Sequence, residues 1–255
     1  MNNIQYIFQK NAPTTLIFLH GWCCSPYDYL FQIAYFKKEY SILLPNYSQT
    51  VLDFKLNSEQ LFLWCVSELK TCIESYQLKN FILIGHSMGG IMALALSEYF
   101  KTQSLGCVII DTAMPLSQER RQSYNALITE LNTDQGKDVL AAVFDKKWVN
   151  LAHDNASLMI QKKTEMLSMW NQSRSHFTQL LLAATQFDSV SAIKNYTSPL
   201  MYIAAEPANG DIMALRQLNP KLQVAQIQSG HFIMQNAPEA LNPKVPEFYI
   251  PGIFG

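Results

Sequence analysis

A chain of 255 residues with 49% hydrophobic and 12% aromatic content suits one large domain, or one domain with an insertion, and excludes a disordered polypeptide. Its 19 Lys and Arg against 20 Asp and Glu give a formal net charge of −1, so there is no basic excess to neutralise a nucleic-acid backbone. No apolar run reaches the ~18 residues of a membrane span, and residues 1–10 lack the pattern of a secretory signal.

The 5 cysteines are too few, and odd in number, for a disulfide scaffold. They read as small buried hydrophobes in a reducing compartment. The expectation is a cytoplasmic monomer without membrane or nucleic-acid partners.

Short apolar runs alternate with longer amphipathic stretches along the chain. Residues 15–19 predict a buried strand, and residues 40–44 a second one stopped by Pro45. Residues 57–76 predict a helix with Asn57 as N-cap and Gln60 three positions on. Cys65 and Cys72 fall on one face of it. The strand predicted at 81–84 leads directly into an apolar helix over 90–100, and another strand is predicted at 107–110.

Residues 112–198 then pass without a clear strand. They are rich in large apolar side chains such as Met114, Phe144, Trp148 and Trp170. A structureless loop of that length is implausible in a compact domain, so a helical lid is predicted there. A strand at 200–203 and an alternating edge strand at 223–227 follow. Continuous apolar strands imply burial on both faces, hence a parallel sheet flanked by helices. The predicted α/β core is residues 1–111 and 199–255, with the lid, 112–198, inserted before the next-to-last strand.

Three short motifs carry chemistry. Gly85-His86-Ser87-Met88-Gly89 is G-x-S-x-G, placed between a predicted strand and a predicted helix. That context predicts a tight, strained turn with the Ser87 hydroxyl exposed as a nucleophile. His20-Gly21-Trp22 follows the first predicted strand. Negative charge on a carbonyl oxygen requires two N–H groups already aimed at it. Met88 and Trp22 are the candidate donors, with Gly21 allowing close approach and His20 bonding within its own loop.

Ser229-Gly230-His231-Phe232 follows the last predicted strand. A serine needs a base, and His231 is the candidate. His86 is expected to point away from the site, while His153 and His176 lie in the lid.

This sequence resembles the α/β-hydrolases across residues 14–242. Leu19-His20-Gly21-Trp22, Gly85-His86-Ser87-Met88-Gly89-Gly90 and Gly230-His231-Phe232 carry the resemblance. It implies the chain order nucleophile, acid, histidine. The usual acid position holds Ala208, with Glu206 and Asp211 nearby. A minority of the family places the acid after the preceding strand, which here is Asp111. Asp111 is the leading candidate and Asp211 the alternative; the other role open to Asp111 is a cap for the first lid turn. Many relatives carry Asp-x-x-Gly-x-Gly-x-Ser after the second strand, where this chain has Pro45-Asn46-Tyr47-Ser48.

The resemblance implies a serine esterase working through an acyl-enzyme, with no metal and no organic cofactor. The chain also looks like the pimeloyl-[acyl-carrier protein] methyl ester esterases of biotin synthesis, in length, His-Gly-Trp loop and helical lid. That likeness implies an acidic carrier protein as partner. Arg120 with Arg121, Lys146 with Lys147, and Lys162 with Lys163 are the candidate docking residues. The segment 112–198 holds 9 Lys or Arg and 8 Asp or Glu. The alternatives are a small-acyl or aryl esterase, a thioesterase, a carbon–carbon bond hydrolase, and a catalytically silent fold that binds a ligand.

Overall fold

Seven strands form one sheet in the computed structural model, which describes residues 5–47 and 58–249. They are β1 (Gln5–Gln9), β2 (Thr15–Leu19), β3 (Ser41–Asn46), β4 (Phe81–His86), β5 (Ser104–Ile110), β6 (Leu200–Ala204) and β7 (Gln223–Gln226). Their spatial order is β1-β3-β2-β4-β5-β6-β7. The pairs from β3 through β7 are parallel, and β1 runs antiparallel to β3. Every residue of β2 and β4 is buried, as parallel strands covered on both faces require.

Two strand readings change. β1 was not anticipated, because Gln-Tyr-Ile-Phe-Gln is short and polar at both ends. Pro45 does not stop β3, which continues to Asn46. The parallel ladder to β2 spans only Ser41 to Leu43, so Pro45 lies beyond it, opposite Tyr6 of the edge strand. A missing N–H is tolerated there.

The helices are α1 (Leu30–Phe36), α2 (Ser58–Ser75), α3 (Met88–Ser97), α4 (Gln118–Leu131), α5 (Gly136–Val143), α6 (Ala156–Gln186), α7 (Ser189–Lys194) and α8 (Ile212–Leu218). Three short ones follow, α9 (Ile233–Asn236), α10 (Pro238–Leu241) and α11 (Lys244–Tyr249). The expected cap Asn57, and Ser48, lie outside the described residues. All of α3 is buried, as befits a helix apolar on every side. Among the described residues no helix is long and apolar enough to cross a membrane. All five cysteines are free and buried. Burial, helped by the nearby Glu68, pushes the Cys65 and Cys72 thiols up to about 12.

Helices α4 to α7 occupy the stretch between β5 and β6. There α4, α5 and α6 pack on one another, and α6 also lies against α2 and α3. Helix α7 packs on α3 and α8, so that end of the segment sits with the core. The long α6 kinks at Ser173, whose φ of −154° and ψ of 46° leave the helical region.

A buried ion pair locks α6 to the core. Lys162 Nζ lies 2.6 and 2.7 Å from the two oxygens of Asp28, in a 3-10 turn over Pro26–Tyr29, and both side chains are 1% exposed. Asp28 also accepts from the Ser25 N–H and from Gln235 Nε2. Removing one partner strands a buried charge. Lys162→Met is therefore expected to lose roughly 3–5 kcal/mol of stability. Adding Asp28→Asn should recover most of it, because neither charge then remains. Chemical unfolding checks both, and a single variant as stable as wild type would contradict the account.

Candidate active site

The turn between β4 and α3 is strained. Ser87 sits at φ 54° and ψ −122°, outside the regions a side chain ordinarily adopts. Such a residue costs about 1–3 kcal/mol and persists only where its surroundings enforce it. Here the Ser87 N–H donates to the Ile110 carbonyl (2.9 Å), and the Thr112 hydroxyl donates to the Ser87 carbonyl (2.8 Å). The turn closes so tightly that a Cβ on Gly85 would lie 2.1 Å from the Gly89 carbonyl oxygen. A Cβ on Gly89 would lie 2.1 Å from the Leu19 carbonyl oxygen. Cys23 (φ 50°) and Asp111 (φ 40°) are left-handed as well, so backbone strain gathers around this turn.

His231 follows β7 and is 5% exposed. Its Nδ1 lies 2.7 Å from Asp111 Oδ2, at the end of β5. The carboxylate accepts only, so it selects the tautomer with hydrogen on Nδ1 and leaves Nε2 as the basic nitrogen. The other oxygen, Asp111 Oδ1, accepts the N–H groups of Ala205 (3.1 Å) and Asn209 (3.0 Å). The loop after β6 thus lends Asp111 its backbone donors.

Asp211 instead caps α8, accepting from the Ala214 N–H at 3.0 Å. Asp211 and Glu206 are exposed, and neither of their carboxylates is bonded to His231, whose Nδ1 is taken by Asp111. Asp111 does not cap α4 either; Ser117 does.

The loop after β2 places Gly21 against the turn at Ser87, where a Cβ would meet His86 Nδ1 at 2.9 Å. Trp22 and Met88 are buried and line the same pocket as Ser87 and His231. Trp22 is anchored from α6, its indole N–H donating to the Phe177 carbonyl (2.6 Å). His20 donates from Nδ1 to the Gly21 carbonyl (3.0 Å) and stacks on Tyr47.

His86 departs from expectation. Its ring centroid lies 4.5 Å from that of His231, and its Nε2 donates to the His231 carbonyl (2.9 Å). It packs against the candidate base instead of pointing away. Only the adjacency of β4 to the loop after β7 produces this contact, so no sequence signal announced it.

Burial holds the His86 imidazole well below its ordinary 6.5, and the nearby His231 pushes it the same way. Burial likewise lowers His20 and His176 to about 4. The unfolded chain then binds protons below pH 6.5 that the folded chain refuses. Stability is expected to be greatest above that pH and to fall as the pH drops from 6.5 toward 4. Melting temperature against pH measures this, and His176→Leu should make the decline shallower. A melting temperature that rises on acidification over this range would contradict it.

A pocket with a largely apolar wall opens at Ser87. Leu116, Tyr124, Trp148, Leu181 and Ala184 form much of its wall, all of them between β5 and β6. No Lys, Arg, Asp or Glu is among its described lining residues.

The predicted docking cations are mostly engaged elsewhere. Lys162 is buried on Asp28, which removes it from any surface. Arg121 donates to the Thr185 and Phe187 carbonyls, Lys163 pairs with Asp145, and Arg120 donates to Asn209 Oδ1 at 3.3 Å. Lys146 and Lys147 are exposed in a π-turn over Phe144–Trp148.

Fold and site define a class. Residues 16–244 match the model of the alpha/beta hydrolase family, and the chain belongs to that family. It is 28% identical over 141 residues to the Mycoplasma pneumoniae protein named "Putative esterase/lipase 1", an overlap covering 54% of this chain and 51% of the relative. The chain thus spans about half the length of the curated relative it matches.

Among solved structures it is similar to a thermophilic esterase from Thermogutta terrifontis (TM-score 0.78, 16% identity, 96% of this chain and 92% of that one). It is also similar to the enol-lactonase from Burkholderia xenovorans LB400 (TM-score 0.77, 14% identity, 96% and 95%). At these identities the likeness concerns the fold.

Proposed function

We propose that this protein is a serine hydrolase that cleaves carboxylic esters through an acyl-enzyme on Ser87. The observation that carries the reading is the convergence on one apolar pocket of a strained Ser87 and a His231 held by buried Asp111. Ser87 Oγ attacks the ester carbonyl while His231 Nε2 takes its proton. The backbone N–H groups of Trp22 and Met88 receive the developing oxyanion, helped by the N-terminus of α3. His231 returns the proton to the departing alcohol. It then activates a water that attacks the acyl carbon and releases Ser87. Asp111 stabilises the imidazolium without taking its proton. Esterase and lactonase names among similar proteins support ester chemistry.

A neutral, largely apolar lining suits an uncharged acyl chain, with the helices between β5 and β6 acting as its lid. The narrower reading is the methyl ester of pimeloyl-acyl carrier protein. Exposed Lys146 and Lys147, immediately before the pocket residue Trp148, support an acidic carrier at the mouth.

A panel of esters of graded acyl length, free and carrier-linked, tests both levels. The expected result is a carrier-linked methyl ester with the higher kcat/KM, an advantage that shrinks with salt and on changing Lys146 and Lys147 to Ala. Equal rates at low salt would reject the carrier and leave the esterase. No hydrolysis of any ester would reject the esterase.

A further inference from the structure

Resting on the reading of His231 as the base, we propose that Asp154 is a positioning residue for it, acting through the backbone of residues 229–231. Asp154 lies between the π-turn and α6. Its Oδ1 accepts the Gly230 N–H (2.7 Å) and the Ser229 hydroxyl (3.4 Å). Its Oδ2 accepts the Asn150 N–H (2.8 Å), and its own N–H donates to the Asn150 carbonyl (2.8 Å). One carboxylate thereby joins the loop carrying His231 to the segment 148–154. Among the described residues no Lys, Arg or His forms an ion pair with it. Its work is to accept backbone N–H groups.

The joined segment is what touches the base. The His231 N–H donates to the Trp148 carbonyl (2.8 Å), and the Trp148 ring stacks on the imidazole, with centroids 5.6 Å apart and planes 25° apart. The fit leaves no room at Gly230, where a Cβ would lie 2.2 Å from Asp154 Oδ2 and 2.6 Å from the Trp148 carbonyl oxygen. Asn150 Nδ2 also donates to the Glu206 carbonyl (2.9 Å), beside Ala205, whose N–H holds Asp111. Both members of the His231–Asp111 pair are therefore braced by the same short segment. With Asp154 removed, two N–H groups lose their acceptor and the loop can drift. A displacement of about 1 Å at a catalytic group can lower a rate by roughly 10²-fold.

A double-mutant cycle separates positioning from general support. Asp154→Ala is expected to lower kcat roughly 10- to 100-fold with KM within about twofold. In a His231→Ala background the same change should alter the residual rate by less than about twofold, since the base it positions is gone. Asp154→Asn keeps the shape but turns one accepting oxygen into a donor, so it should fall between wild type and Asp154→Ala. If Asp154→Ala does not fold, Asp154→Asn carries the same comparison. Wild-type kcat in the variants, or equal losses in both backgrounds, overturns the proposal. His231→Ala with wild-type activity would instead overturn the base assignment, and the same data set reveals which has failed.

Discussion

Ser87→Ala is expected to lower kcat by roughly 10⁴-fold or more while leaving the chain folded. On the proposed mechanism the loss is large because nucleophile, base and acid act as a unit, so removing one removes the covalent route. What should survive is whatever the pocket and the proposed oxyanion donors, the Trp22 and Met88 N–H groups, contribute alone. Folding should persist because the turn is enforced by Gly85 and Gly89 and by bonds to the Ser87 backbone, none of which uses its hydroxyl. His231→Ala should match the loss. Steady-state kinetics with a chromogenic ester, alongside circular dichroism, measures both. A tenth of wild-type activity in folded Ser87→Ala would defeat the mechanism.

The second large effect concerns the carboxylate. Asp111→Asn is expected to lower kcat by roughly 10²–10⁴-fold with little loss of binding. The amide cannot accept from both Ala205 and Asn209 N–H groups and from His231 Nδ1–H as the carboxylate does. If its NH₂ group faces His231, the ring is driven to the wrong tautomer and Nε2 carries the hydrogen. Asp211→Asn should change kcat less than about twofold, since that side chain caps α8 and asparagine caps as well. The reverse ranking would remove Asp111 from the mechanism.

What could be read from the sequence divides by range. The turn at Ser87 rests on short-range sterics, two glycines around one serine between an apolar strand and an apolar helix, so its place in the fold was visible in a few residues. The sheet was visible because buried parallel strands are continuous apolar runs. β1 was invisible because an exposed antiparallel edge strand needs no such run.

The partner of His231 stayed open between Asp111, Asp211 and Glu206, because their distance from it depends on which strands adjoin. The bond that forms spans 120 positions of sequence. Lys162 read as a candidate docking residue at the surface, yet it meets Asp28 from 134 positions away. His86, Trp148 and Asp154 meet the His231 loop in the same way, through contacts that no local pattern encodes.

A covalent intermediate at Ser87 is the centre of the proposed function, and trapping it is the most direct test. The protein would be mixed with a fluorophosphonate, or with an aryl ester whose acyl group leaves slowly, then quenched, digested and mapped by mass spectrometry. The expected result is one adduct per chain on the peptide containing Ser87, lost in Ser87→Ala. Ester turnover with no adduct, or with the adduct on another residue, would contradict it.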